Sequence, residues 1–345
     1  MNVDLHMKWP NYAVHWASQL ETSVSSLVSL KGGINNRVFR CGFDGNHQWV
    51  IKGYDPCQSG CRDKMKAEVD FLRYALQVAP GFTPGLVCTD WERRCVVLQY
   101  LDGESFPEGI TPPQEAIKAA ANFFNKLNLD LHTAKSAIEL NAAEGYLSLR
   151  EHISNIQERL DRMMANHLQG RARLDADRLL NFLRTELEQI THSTSMHISQ
   201  GNIADSISPE QLYISPSDFG FHNAILTKNG VRFFDFEFAG WDDPSKAVID
   251  FELQPRIPVS RSFSLIDCVK LKDRQAIQAR CSFLKPILQL KWCCIALNIL
   301  NPARLTDMLN VNPQICEQQF ISERLETAKK YLKCLTACTK LVFNG

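Results

Sequence analysis

The sequence predicts an α+β protein of two lobes: a small N-terminal antiparallel sheet with one main helix, and a larger, mainly helical C-terminal lobe. Three observations predict it. A chain of 345 residues exceeds the range in which one hydrophobic core keeps growing. From Val24 to about Leu101 the apolar residues come in short runs split by Gly, Asn and Asp. Beyond Gly103 they recur at helical spacing over long segments, with one strand-like interruption. The expected lobes are therefore residues 1–103 and 104–345, joined by a tight hinge at about 99–103, since no low-complexity tether lies there.

The elements follow in order. VFRCGF (38–43) and QWVIKGY (48–54) read as strands joined at Asp44-Gly45-Asn46, a turn signal that closes hairpins. CRDKMKAEVDFLRYALQ sets Met65, Val69, Leu72 and Leu76 on one helical face. CVVLQYL (95–101) reads as a buried strand that ends at Asp102-Gly103. TPPQEAIKAAANFFNKLNLDLH starts with prolines where a first helical turn tolerates them, and it reads as one helix. GYLSLREHISNIQERLDRMMANHL and DADRLLNFLRTELEQITHS read as two more amphipathic helices. YIS, NAIL and VRFFDF are brief strands, the last two turned by Lys228-Asn229-Gly230. From about residue 262 the pattern is helical again, and Ile321, Leu325, Ala328, Leu332 and Leu335 form a packing stripe.

Composition is that of an ordinary soluble protein, 45% hydrophobic and 22% charged. Net charge is zero, but residues 246–345 hold 15 Lys and Arg against 8 Asp and Glu, a balance of +7. The start MNVDLHMKWP has no apolar signal core, so the twelve cysteines are expected to be reduced and the protein cytoplasmic. Cys57, Cys61, Cys88 and Cys95 lack zinc-ribbon spacing, and Cys293 and Cys294 lie in an apolar helical run as small hydrophobes. No apolar run approaches the roughly 20 residues of a membrane span. Neither a membrane nor a nucleic-acid partner is expected, and oligomeric state is not readable.

The chemistry concentrates in SDFGFHN (217–223) and DFE (235–237). Phosphoryl transfer needs a carboxylate near the acceptor hydroxyl and separate oxygens for a metal. Asp218 is followed five residues later by Asn223, and Asp235 leaves an apolar strand twelve residues beyond. Asp218 is the candidate catalytic base and Asp235 the candidate magnesium ligand, since magnesium prefers oxygen, while the spacing of Asn223 brings it into the same site as Asp218. An Asp and an Asn at this spacing arise often by chance, so the upstream order carries the argument. LKGGINNRVFRC places Gly32, Gly33, Asn35 and Asn36 in a loop between strands, where N–H groups can meet phosphates; a plain hairpin turn is the simpler reading of that loop. Lys52 sits among apolar strand residues, where an unpaired ammonium is costly, and Glu68 on the next helix offers the opposite charge. Gln99 and Leu101 belong to the strand before the hinge, whose backbone groups would meet a purine.

The stretches VIKGY, KAEVDFL, VVLQYLDG, SDFGFHNAIL and FFDFEFAGWDDP resemble the aminoglycoside phosphotransferase and choline kinase family of small-molecule kinases, over roughly residues 25–250. The resemblance implies a protein-kinase-like fold, ATP or GTP with Mg²⁺, and transfer of the γ-phosphoryl group to a hydroxyl of a small molecule. On the family pattern His-Gly-Asp, four residues, Asn, then Ile-Asp-Phe or Ile-Asp-Trp, it implies catalytic base for Asp218 and magnesium ligation for Asn223 and Asp235. Pro216 stands where the family has His, so the loop must be pinned otherwise. His222, Glu237 and Asp242 are candidates for contacts to substrate or to the groups behind the site. The plainer readings are a structural or solvent-facing His222, an exposed Glu237, and a helix cap at Asp242-Asp243 before PSKAVIDF.

The acceptor is the open question. Cationic acceptors need carboxylates or an aromatic cage, which a basic C-terminal segment supplies poorly. The sequence thus favours a neutral or anionic hydroxyl compound such as a sugar or sugar derivative, with Arg256, Arg261, Lys270 and Lys291 as candidate anion contacts. An aminoglycoside or choline-type amino-alcohol kinase is the alternative. From another class, a catalytically silent nucleotide-binding regulator is opposed by the retention of Lys52, Glu68, Asp218, Asn223 and Asp235 together. A protein kinase is opposed by the lack of the Gly-rich fingerprint and of an Ala-Pro-Glu-type segment after Asp235.

Overall fold

The computed structural model describes residues 10–20, 24–30, 37–43, 48–57, 61–165, 168, 170–259, 264–270, 273–311 and 316–343. Gly32, Gly33, Asn35 and Asn36, the Asp44-Gly45-Asn46 turn and Arg261 lie outside these residues.

The chain opens with α1 (Asn11–Leu20), which the sequence reading did not anticipate. Six of its ten residues, Asn11, Tyr12, Val14, His15, Trp16 and Ser18, are weaker helix formers, and packing supports it: Ala13 and Ala17 are fully buried among strand residues Leu27, Phe39 and Ile51. Strands β1 (Val24–Leu30), β2 (Arg37–Phe43) and β3 (Gln48–Gly53) form an antiparallel meander, in which Arg37 pairs with Gly53. Helix α2 (Lys64–Val78) starts at Asp63, whose carboxylate accepts the Lys66 N–H at 3.1 Å. Met65, Val69 and Leu72 of the expected apolar face are completely buried. Strands β4 (Leu86–Asp90) and β5 (Cys95–Gln99) complete a five-stranded sheet of order β1-β2-β3-β5-β4, which makes β3 a central strand.

After β6 (Glu104–Ser105) the segment expected as one helix is two, α3 (Gln114–Leu127) and α4 (Leu131–Ala137). The break has a local cause. Asn128 turns its amide away to Ile214, donating to its carbonyl at 3.0 Å and accepting its N–H at 2.7 Å, and Asp130 caps the new helix through His132 and Thr133. Helix α5 (Leu149–Met164) opens with a capping box of Ser148 and Glu151 and is followed by α6 (Gly170–Ser199). Strands β7 (Tyr213–Ser215), β8 (Ala224–Thr227), β9 (Gly230–Phe233) and β10 (Gly240–Asp242) supply the expected interruption. The remainder is α7 (Pro244–Leu253), α8 (Leu265–Cys268), α9 (Arg274–Ala296), α10 (Pro302–Val311) and α11 (Glu317–Phe343).

Packing divides the chain into two compact units. The first comprises Met1–Ala143, Tyr213–Trp241 and Gln254–Lys270; the second comprises Glu144–Leu212, Asp242–Leu253 and Leu271–Gly345. In the first unit the short β6 pairs with β8, and Gly103 makes this pairing possible: a Cβ there would lie 2.4 Å from the Leu226 carbonyl oxygen. The centre of this unit is aromatic. Phe123 stacks on Phe233 at 5.2 Å, and Phe71 meets Phe236 at 4.5 Å. In the second unit α5, α6, α9 and α11 enclose one apolar core that includes Ile321, Leu325, Ala328 and Leu332 of the expected stripe, with Cys293 and Cys294. The side chain of Leu335 lies outside the described residues.

Candidate active site

Lys52 shows how the first unit builds its site. On β3 it pairs with Val38 on one side and Val96 on the other, so it is 4% exposed and has to find its charge partners beside the sheet. Its ammonium lies 2.5 Å from Glu68 Oε2 on α2 and 2.5 Å from Asp235 Oδ1 beyond β9. A third carboxylate, Glu237, is 3.8 Å away and also 3.4 Å from Lys64 Nζ. Burial alone would depress the lysine, but Glu68, Asp235 and Glu237 outweigh it and hold its pKa above the ordinary lysine value. The group is therefore a fixed cation. Tyr54 donates its hydroxyl to Glu68 Oε2, which braces the carboxylate from behind.

The Asp218 loop is anchored by alternate residues. Phe219 and Phe221 are 4% and 1% exposed and pack into the aromatic centre, Phe219 at 5.1 Å from Phe233 and Phe221 at 4.9 Å from Phe106. Fully burying a side chain of this size is worth roughly 1.5–3 kcal/mol. That alternation leaves Asp218, Gly220 and His222 between the anchors. Asn223 Nδ2 donates to the Asp218 carbonyl at 3.0 Å and to its Oδ2 at 3.2 Å. His222 Nε2 lies 3.1 Å from Asp218 Oδ1. Ser217 (φ 65°) and Asp235 (φ 67°) both adopt the left-handed conformation, which costs a non-glycine residue roughly 1–2 kcal/mol. Strain thus sits beside one candidate carboxylate and directly on the other.

The segment after Asp235 is held by Arg62. Its guanidinium donates to the carbonyls of Glu237 at 3.1 Å, Ala239 and Asn141, which ties this segment to the residues leading into α2. Arg94 grips Asp63, the N-cap of α2, through two bonds of 2.9 and 2.8 Å. The helix that carries Glu68 is thereby fixed at its start.

The structure brings Lys52, Glu68, Asp235 and Glu237 into one cluster, and Asp218, His222 and Asn223 into another. Glu237 is 2% exposed, so the surface reading of it is replaced by a buried one. Likewise His222 is turned inward onto Asp218, with a side chain 6% exposed. Gln99 uses its backbone N–H on Gly85 O at 2.9 Å and accepts the Gly85 N–H on its side chain at 3.3 Å; Leu101 lies half-buried two residues on. Asp242 belongs to the second unit, where burial raises its carboxyl to about 6 against the opposing pull of Lys246, 2.8 Å away. The capping role falls to Asp243, whose Oδ1 accepts the Ser245 N–H at 2.8 Å at the start of α7. Of the cations considered for an anionic acceptor, Lys291 is taken by both oxygens of Asp250, at 2.6 and 2.7 Å, and Arg256 by Glu108.

Sequence reasoning missed Tyr54, Lys64, Arg62 and Gln254. Tyr54 was legible, lying two residues after Lys52 on the same edge of the pattern. Lys64 sits one helical turn before Glu68, which is a weaker signal. Arg62 and Gln254 act on residues far away in sequence, and no local pattern marks them.

No family model matches the sequence, and no curated protein matches it either. Solved structures do match the fold. The GDP and kanamycin complex of APH(2")-IIia is 16% identical, with a TM-score of 0.60 over 93% of this chain and 99% of that one. A choline kinase from Cryptosporidium parvum Iowa II is 12% identical, with a TM-score of 0.57 over 94% and 92%. The ADP-bound aminoglycoside phosphotransferase APH(2'')-Ib is 16% identical, with a TM-score of 0.52 over 92% and 97%. The chain therefore has the α+β, protein-kinase-like fold of the aminoglycoside phosphotransferases and choline kinases, the group its motifs resemble.

Proposed function

We propose that this chain is a nucleotide-dependent phosphotransferase that moves the γ-phosphoryl group of ATP or GTP to a hydroxyl of a small molecule. One observation carries the reading: a single buried ammonium, Lys52, holds both Glu68 of α2 and Asp235, the latter 183 residues away in sequence. That is the arrangement phosphoryl transfer asks for, a fixed cation for nucleotide phosphates beside a carboxylate for their metal. On this reading residues 1–103 form the nucleotide-binding lobe and residues 104–345 the catalytic and acceptor-binding lobe. Leu101 and the carbonyl of Gln99 are the proposed backbone contacts to the purine, and Gly32, Gly33, Asn35 and Asn36, outside the described residues, are the proposed phosphate contacts.

The residues present fit magnesium. Both partners of Asn223 Nδ2 are acceptors, which settles the amide's orientation, and among the described residues no donor reaches its Oδ1. Asp235 gives Oδ1 to Lys52, while its Oδ2 takes no hydrogen bond among the described residues. An amide oxygen and a carboxylate oxygen are hard donors of the kind magnesium selects. Asn223 Oδ1 and Asp235 Oδ2 would hold the ion, which when bound would offset the negative charge of the nucleotide phosphates during transfer.

Asp218 acts on the acceptor. Its carboxylate is 39% exposed on the side-chain scale, open enough to meet a hydroxyl, while Asn223 and His222 hold its two oxygens from within the loop. It would orient that hydroxyl and take its proton as the phosphoryl group arrives. The acceptor is assigned only as a small-molecule hydroxyl. The sugar preference rested on the basic charge of residues 246–345, and part of that charge is neutralised internally at Lys246, Arg280 and Lys291. The test is ADP or GDP release by the purified chain with magnesium across sugars, amino-alcohols, aminoglycosides and nucleosides. Stimulation by one hydroxyl class is expected; nucleotide binding with no stimulation by any acceptor would leave a silent nucleotide-binding regulator in its place.

A further inference from the structure

His222 meets two groups at one nitrogen. Its Nε2 lies 3.1 Å from Asp218 Oδ1, an acceptor, and 3.3 Å from Gln254 Nε2. The amide end of Gln254 is not free to turn over, because its Oε1 accepts the Arg256 N–H at 2.8 Å; the group facing His222 is therefore an NH₂ donor. A single ring nitrogen cannot serve a donor and an acceptor at once. If Nε2 were bare, it would accept from Gln254 and turn its lone pair on the Asp218 carboxylate. If Nε2 carries hydrogen, it donates to that carboxylate. The bond to a charged acceptor is both the shorter and roughly twice as strong as a neutral one, so the proton belongs on Nε2. Nδ1, on the other side of the ring, is buried with no hydrogen-bond partner among the described residues.

The ring's seat is made for this orientation. A Cβ on Gly220 would lie 2.8 Å from His222 Nδ1 and 2.7 Å from Gln254 Cγ, so only glycine at 220 leaves space for both. Its backbone φ of 175° is ordinary extended geometry, so the requirement is room and not conformation. We infer that His222 is a positioning residue for Asp218, with hydrogen on Nε2 donating to Oδ1, and that it pins from within a loop whose entry at Pro216 has no side-chain donor. With Asn223 on Oδ2, the carboxylate is fixed at both oxygens, which sets the direction it presents to an acceptor. The inference rests on the phosphotransferase reading for its kinetic consequence but not for its geometry.

Two measurements test it together. Long-range ¹H–¹⁵N correlation spectra of the ¹⁵N-histidine-labelled chain, with His222 identified by the signals missing from His222→Phe, should show hydrogen on Nε2; a bare Nε2 overturns the inference. In turnover, His222→Phe should lower kcat by about 10- to 100-fold with KM for nucleotide and acceptor within about twofold, and His222→Gln, which keeps an N–H donor, should recover most of the loss. Unchanged kcat in His222→Phe, or Gln no better than Phe, overturns it. If no acceptor is turned over by the wild type, the phosphotransferase reading fails, while the Nε2 measurement still decides the geometry of His222.

Discussion

Two buried clusters of lysine or arginine with carboxylates stand out among the described residues, and they are built to different rules. In the second unit Asp242, Asp243 and Asp250 face Lys246, Arg280 and Lys291, three carboxylates against three cations, every one of them buried. Spare capacity is taken up: Trp292 donates to Asp250 at 3.0 Å, and Arg280 also donates to the carbonyls of Ala204 and Asp205 at 3.1 Å and of Leu147 at 3.3 Å. In the first unit Lys52 and Lys64 face Glu68, Asp235 and Glu237, an excess of one negative charge, and Asp235 is 35% exposed in a strained backbone conformation. A balanced, saturated cluster serves stability and orientation of helices. An unbalanced one with an open carboxylate is, on the proposed function, what a cation bound beside phosphates would complete.

The largest expected effect lies on the open side of this contrast. Asp218→Ala and Asp235→Ala should each reduce nucleotide turnover by roughly 10²- to 10⁴-fold while leaving the denaturant midpoint nearly unchanged. Should either variant unfold the chain instead, the open cluster would belong with the closed one. Next comes the closed cluster itself. Asp250→Ala removes the shared partner of Lys246, Lys291 and Trp292 and should cost roughly 3–5 kcal/mol in denaturant unfolding, because it strands the buried Lys291 and leaves Lys246 with Asp242 alone. A loss below about 1 kcal/mol, the range of surface pairs, would show that these charges are solvated in practice.

The smallest effect is a pH slope. His152 is 2% exposed, with its Nε2 unpartnered; burial first, then the cations Lys246, Lys291 and Arg280, hold its pKa well below the ordinary 6.5, against the opposite pull of Asp250. The folded form thus binds fewer protons than the unfolded one below that value. Stability is then flat above pH 6.5 and falls on acidification below it, by at most about 1.4 kcal/mol per pH unit from this group. Unfolding of the wild type and of His152→Leu at pH 7.5 and 5.5 should show the wild type losing more; equal losses would place a neutralising group or water beside the ring.

Much of the fold was legible because local periodicity carries it. The β2–β3 hairpin, α2 with Met65, Val69 and Leu72 inward, and the stripe from Ile321 to Leu332 all follow from spacing that side-chain geometry imposes within one element. What failed was also local in appearance but decided at a distance. Helix α1, most of whose residues are weaker helix formers, is supported by the sheet it packs on, and α3 breaks from α4 because Asn128 prefers the backbone of Ile214, 86 residues away.

The site divides the same way. The sequence by itself determined the inventory: a strand lysine, a helix glutamate, Asp218 five residues before Asn223, and Asp235 past a hairpin, in that order. It also determined that Phe219 and Phe221 alternate with Asp218, Gly220 and His222, so that one set can anchor while the other faces the site. Only the tertiary structure decided who meets whom: that Lys52 joins Asp235, that Glu237 turns inward with Lys64, that His222 pins Asp218 under Gln254, and that Lys291 is occupied by Asp250. The reason is physical. Periodicity fixes the direction of a side chain relative to its own element, whereas a charge chooses its partner within a few ångströms through space, and chain topology brings those partners from 32 residues away in one case and 183 in another.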